Sequence, residues 1–253
     1  MDDIPAYDEQ YFAALREAVP KYRSWNKDQR IVDLVIECAC DHESLSALDI
    51  GPGFNNLAAL FAEAGFRVST VDLNETRLVA AGKPNWPGVT ALEGDGRDLP
   101  FVAETIDVIT YNSVFEHFNS QDAKRALRQA NRALRRGGFL VIYLPSRSWA
   151  SYLLRRIHRC RMGTDPPGID DTQDPTHQHW YSLSELMALC EPLFTLQRSM
   201  FLVYGTHNFP QLLRPIARFI QLILDKTGLS KSRFIGRLFS FRMILLLRVK
   251  KSR

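Results

Sequence analysis

The residues of this chain best placed to do chemistry are two glycines and three acids that recur at the ends of short apolar runs. Gly51 and Gly53 follow the run Ala47-Leu48-Asp49-Ile50, and Leu57-Ala58-Ala59-Leu60 continues in a helical manner. Glycines there remove the side chains that would hold a ligand away from the backbone, and the helix start beyond them offers free N–H groups. Asp72 closes a second run, Val68-Ser69-Thr70-Val71, where a carboxylate accepts hydrogen bonds from vicinal ribose hydroxyls. Asp95 follows a third run, Val89–Glu93, in a position to meet an adenine amino group. The chemistry these residues point to is the binding of a nucleoside-bearing cofactor. Taken singly, Asp72 also reads as a helix N-cap, and Asp95 and Asp98 as turn formers. Their order along the chain favours the cofactor reading.

Strands and helices in alternation hold these residues in place. After the third run come a fourth strand at Ile106–Thr110, the segment Tyr111-Asn112-Ser113-Val114-Phe115-Glu116-His117-Phe118, and a helix rich in Ala, Leu and Arg. A turn at Arg135-Arg136-Gly137-Gly138 and a fifth strand at Phe139–Leu144 follow. Successive βα units of this kind build a parallel sheet with ligands at the carboxyl ends of its strands. A dinucleotide fingerprint would place a third glycine at residue 56, where this chain has Asn56, and this counts against NAD.

In the order of these pieces, residues 43–146 resemble the class I methyltransferases that use S-adenosyl-L-methionine (SAM). The resemblance implies a Rossmann-like, doubly wound α/β sheet of about seven strands, mostly parallel, with an antiparallel C-terminal edge formed by Leu196–Tyr204 and Phe241–Val249. It implies that Asp49, Gly51 and Gly53 approach the methionine part of SAM, that Asp72 binds ribose and that Asp95 flanks adenine. Leu73, Gly96 and Asn112 complete the implied cofactor set. Asn55 stands where many members have glycine, and asparagine is the non-glycine residue that best tolerates a left-handed backbone. The segment Thr176–Leu186, with His before Trp and Tyr, is similar over a short stretch to ubiquinone-pathway O-methyltransferases.

Three histidines are candidates for catalysis. His117 lies just beyond the fourth strand, and an ordinary imidazole titrates near neutrality, which suits removal of a hydroxyl proton. It also reads as a structural side chain at a helix start. His177 and His179 end the segment after strand five, which is expected to cover the crevice. With Asp174 they form a possible His-x-His metal set, but no further histidine or cysteine completes it, and no metal is expected. Ser182 or Ser184 is expected to cap the next helix. Transfer of an activated methyl asks for alignment, a dry site and, for a hydroxyl acceptor, a base. The absence of Asn/Asp-Pro-Pro-Tyr/Phe after strand four argues against a base-nitrogen acceptor.

The chain is expected to be a single methyltransferase domain over 1–253. Within it, 1–42 would form N-terminal helices, 43–146 the SAM-binding core, 147–182 a lid or acceptor insertion and 209–238 a basic amphipathic insertion. The hydrophobic content of 45% is enough to bury a core without disulfides or metals, and the four cysteines match neither a zinc ribbon nor a C-x-x-C pair. With no leader pattern and no apolar run of transmembrane length, a cytoplasmic location is expected. Charge is uneven: residues 209–253 hold 11 Lys and Arg against 1 acid. Phe209, Leu212, Leu213, Ile216, Phe219, Ile220, Ile223 and Leu224 recur at helical spacing, opposite Gln211, Arg214, Arg218, Gln221 and Asp225. That apolar face suits packing on the domain or on a second subunit, and equally suits peripheral contact with an anionic membrane. Nucleic acid is the weaker candidate.

The functional reading is methyl transfer to a small, hydroxyl-bearing acceptor that is lipid-linked, glycan or quinone-like. SAM-dependent RNA or protein methylation, or a non-catalytic SAM-binding module, is the alternative.

Overall fold

In the computed structural model, residues 27–39, 45–53, 56–73, 88–163, 177–202 and 214–251 are described. Seven strands form one sheet in the order β3-β2-β1-β4-β5-β7-β6. They are β1 (Ser46–Ile50), β2 (Arg67–Asp72), β3 (Val89–Glu93), β4 (Ile106–Asn112), β5 (Leu134–Pro145), β6 (Phe194–Leu202) and β7 (Arg242–Val249). β1 pairs in parallel with β2 and β4, and β4 with β5, whereas β7 runs antiparallel to both β5 and β6. The expected sheet, mostly parallel with an antiparallel C-terminal edge, is therefore present. Chain order reverses between β1 and β4, and a crevice opens at such a switch point beyond the carboxyl ends of the strands.

The strands are apolar on both faces because helices cover both. Leu48, Ile50, Ile109, Tyr111, Leu140 and Ile142 point one way, toward helices α3 (Ser120–Ala133) and α5 (Leu183–Cys190). Ala47, Val108, Val141 and Tyr143 point the other way, toward α1 (Lys27–Cys38) and α2 (Asn56–Glu63). A period of two with both faces buried reads in sequence as near-continuous hydrophobic runs. Local signals set the helix starts. Asn119 caps α3, its side chain accepting from the Gln121 and Asp122 amides, both at 2.9 Å. Of the two expected caps for α5, Ser182 takes the role, in a reciprocal capping box with Glu185.

Three expectations change. Residues Arg135–Gly138 are not a separate turn before β5 but part of it. Leu134 pairs with Ile106 and Phe139 with Val108, so four residues of β5 lie opposite one of β4 across a bulge, which Gly137 accommodates at φ +80°. β6 begins earlier than expected, at Phe194, and is described to Leu202, while Tyr204 lies outside the described residues. The third change concerns the basic insertion, which forms α6 (Arg214–Lys226), a 3₁₀ turn at Leu229–Lys231 and α7 (Arg233–Phe239). Among its described side chains, packing of the apolar face on the domain is overturned. Gln221 is buried and Asp225 half-buried, while Phe219, Ile220, Leu222 and Ile223 are exposed. Polar bonding explains this: Asp225 holds Arg30 of α1 at 2.8 Å, and Gln221 donates to the Phe201 carbonyl of β6 at 3.4 Å. Residues 1–26 and 203–213, and with them the expected first helices and Phe209, Leu212 and Leu213, lie outside the described residues.

Candidate functional site

The carboxyl ends of β1, β2 and β4 bring most of the expected cofactor residues to one end of the sheet. Asp49 is the penultimate residue of β1 and is 1% exposed. Its Oδ1 accepts the Thr110 hydroxyl of β4 at 2.5 Å, and its Oδ2 has no hydrogen-bond partner among the described residues. Burial is the main influence on this carboxyl and pushes its pKa up to about 7. The Thr110 bond opposes the shift, nearby Asp28 adds to it, and Lys27 opposes it.

The turn that follows has the geometry of a backbone cradle. Gly51 has φ +63°, donates its N–H to the Val71 carbonyl at 2.8 Å, and would put a Cβ only 2.7 Å from Val114 Cγ2. Gly53 has φ +54°, and a Cβ there would meet no atom within 4 Å. A closed wall at Gly51 and open space at Gly53 fit a ligand lying along the turn. A buried carboxylate oxygen left to accept fits the cationic amino acid portion of SAM. Asp72 ends β2, its carbonyl held by the Gly94 amide at 2.8 Å, and Leu73 is exposed beside it.

Two expected residues prove to have strong partners within the protein. Asp95 accepts the Arg97 guanidinium through both oxygens, at 2.8 to 3.0 Å, and the Arg97 backbone N–H at 2.8 Å. Burial disfavours its charge, but these bonds outweigh that and hold its carboxyl below the usual range. Its remaining lone pairs are what a ligand would use. At Gly96 a Cβ would lie 2.5 Å from Ile50 Cγ2, and the Gly96 carbonyl accepts the buried Tyr111 hydroxyl at 2.7 Å. Glycine is thus required there for packing, whatever else it does.

Asn112, at the end of β4, leads to residues that sequence reasoning missed. Its Oδ1 accepts Lys27 Nζ at 2.8 Å, and its Nδ2 donates to Asp28 Oδ1 at 3.2 Å. Lys27 also pairs with Asp28 at 2.8 Å and lies over the Tyr143 ring, 4.7 Å from its centroid. Burial works against the Lys27 charge, but Asp28 and Tyr143 outweigh it and raise the pKa. Nothing in the local pattern of Lys27-Asp28 marks them, because only the packing of α1 brings them 85 residues along the chain to Asn112. Ser113 follows with φ +59°, a left-handed backbone in a residue other than glycine, at the edge of this site.

The three histidines separate. His117 and His177 come together with ring centroids 4.8 Å apart, whereas His179 stacks edge-on against Tyr181 at 4.4 Å. The juxtaposition arises because the Gln178 and His179 amides both donate to the Glu116 carbonyl, at 2.8 and 3.1 Å, clamping the segment onto the turn after β4. Glu116 is 2% exposed, and donor atoms of Glu116, His117 and His177 lie within 4.8 Å of one another. Two imidazoles and a carboxylate at that spacing can hold a proton between them, and are also the donor types that coordinate a cation. Asp174, the third member of the set considered with His177 and His179, lies outside the described residues.

Comparison with known proteins agrees with this layout. A family described as "Methyltransferase domain" matches residues 48–142, which span β1 through most of β5. A demethylmenaquinone methyltransferase of Streptomyces griseus subsp. griseus is 33% identical over 118 residues, 44% of this chain and 50% of that protein. A 2-methyl-6-phytyl-1,4-hydroquinone methyltransferase of Oryza sativa subsp. japonica is 29% identical over 124 residues, 48% of this chain and 37% of that one. The chain thus spans about half the length, or less, of these curated relatives. A solved Pyrococcus horikoshii OT3 structure shares the fold, with TM-score 0.61 and 17% identity over 97% of this chain and 100% of that one. Sheet order, glycine turn and matched span agree: residues 48–142 carry a methyltransferase domain similar to those of SAM-dependent methyltransferases.

Proposed function

We propose that this protein moves the methyl group of SAM to a hydroxyl on a small lipid-linked or quinone-like acceptor. The pairing of His117 with His177 beside buried Glu116, at the carboxyl end of β4, carries this reading. The relatives' names, which denote a menaquinone precursor and a phytyl-substituted hydroquinone, support the quinone-like part of this acceptor class, and the hydroxyl rests on the histidine pair. In this reading the glycine turn and Asp49 take the methionine part of SAM. Asp72 and Leu73 take the ribose side, Asp95 and Gly96 flank adenine, and Asn112 lines the floor.

Bound there, SAM supplies a methyl activated on a sulfonium. The protein's part is alignment and proton management. His117 would take the proton of the acceptor hydroxyl, leaving the oxygen free to accept that methyl. His177 and Glu116 orient that imidazole and stabilise its charge. His179, turned toward Tyr181, serves as wall.

The test uses methyl-labelled SAM with a prenylated hydroquinone and, separately, with lipid, glycan, protein and RNA fractions. Label is expected in the hydroquinone or lipid arm. His117→Ala is expected to slow transfer by about 10²-fold or more while the stabilisation by SAM persists. Label confined to RNA or protein would overturn the acceptor class. SAM binding with no transfer to any fraction would replace the reading with that of a binding module.

A further inference from the structure

The basic insertion leaves β6 at Leu202 and returns at Arg242, which pairs with both Leu202 and Pro145, the last residue of β5. It therefore sits at the same end of the sheet as the cofactor crevice. Helix α7 packs there against β6, Gly236 lying so close to Phe201 that a Cβ would come within 2.4 Å of the ring. The 3₁₀ turn at Leu229–Lys231 joins α6 to α7, and helix α4 (Trp149–Met162), which follows β5, packs on α7. These elements make one contiguous surface.

That surface is apolar where a monomer's surface is expected to be polar. Phe219 is 64% exposed, Phe234 70% and Trp149 57%, with Ile220, Leu222 and Ile223 also outward. Single exposed apolar residues are ordinary, but a run of large ones on adjoining helices marks an interaction surface. The burial of Gln221 and the Arg30–Asp225 bridge on the opposite side of α6 hold this orientation in place. Arg156, Arg159, Lys226, Lys231, Arg233 and Arg237 are exposed around it. Asp225 is the sole acid among the described residues of these helices, and it already bridges to Arg30.

We infer that helices α4, α6 and α7 form a docking face for an anionic bilayer. The apolar side chains enter the headgroup boundary and the cations meet lipid phosphates. Charge complementarity selects this occupant. Two copies of such a face would oppose cation to cation, and outward Ile and Leu gain nothing from a nucleic-acid backbone. Docking does not depend on the acceptor. Its consequence does rest on the function proposed above: a lipid-borne acceptor would reach the crevice from the membrane at the end of the sheet where the methyl donor lies.

The experiment is co-sedimentation of the full chain with vesicles of phosphatidylcholine alone or with phosphatidylglycerol added, at low and high salt. Binding is expected only with phosphatidylglycerol and is expected to fall about tenfold or more at high salt. F219D combined with F234D should abolish it while leaving the thermal shift with SAM unchanged, since both side chains are exposed and neither belongs to the cofactor set. R233E combined with R237E should weaken it without loss of fold. Three results would overturn the inference. One is no binding to anionic vesicles at low salt. Another is binding that survives both double variants. The last is a dimer in solution, lost in F219D/F234D, with no vesicle binding. Methyl transfer to a water-soluble hydroquinone, followed in parallel, reports on the proposed function independently of docking.

Discussion

Asp49→Asn isolates one energetic consequence of the cradle. In the ligand-free protein the Asp49 carboxyl is buried and its pKa rises from the ordinary 3.8 to about 7, desolvation being the main cause. A group whose folded pKa lies above its unfolded value holds its proton more tightly in the native state. Its stabilising contribution is therefore complete below about pH 3.8 and is lost as pH climbs toward 7. With each pKa unit equal to about 1.36 kcal/mol, the two values imply a loss of about 2–3 kcal/mol between about pH 5 and pH 8. Asparagine cannot ionise, so the variant lacks this slope. It can still accept the Thr110 hydroxyl, but it places an amide where Oδ2 lay without a partner. That costs about 1–3 kcal/mol at every pH and moves the curve without tilting it. Urea denaturation of both proteins at several pH values across this range reads the difference directly. The gap between them should close or reverse in the variant's favour as pH rises. Parallel curves would refute the reasoning and leave Asp49 an ordinary ionised carboxylate.

Two further outcomes concern the turn and the cap. Gly51→Ala meets both a positive φ and a Cβ at 2.7 Å from Val114, so the rise in melting temperature that SAM gives the wild type should vanish, and NAD should shift neither protein. A full shift with SAM in a folded Gly51→Ala protein would show that the ligand does not follow this turn. Ser182→Ala removes one half of the capping box and should cost about 1 kcal/mol, a fall of about 2–4 °C in melting temperature for a domain of this size. Ser182→Asp should recover most of it, and an unchanged melting temperature in the alanine variant would show that the cap contributes nothing.

The sheet core and the cradle are legible in the order of residues alone, because both are written in local pattern. Short apolar runs at 47–50, 68–72 and 106–110 read as strands, and they form β1, β2 and β4. Gly51 and Gly53 supply the positive φ that a tight turn into a helix demands. Ser182 and Ser184 both marked a helix start, and Ser182 takes the cap in a capping box with Glu185. The rest depends on contacts between residues distant in the chain. Helix α1 brings Lys27 and Asp28 to Asn112, and the clamp on the Glu116 carbonyl selects His177 over His179 as the partner of His117. The orientation of α6 is the clearest case. Periodicity gives a helix an apolar face but does not say what covers it. Here the Arg30–Asp225 ion pair and the buried Gln221 amide turn the polar side inward and leave Phe219 and Ile223 facing out.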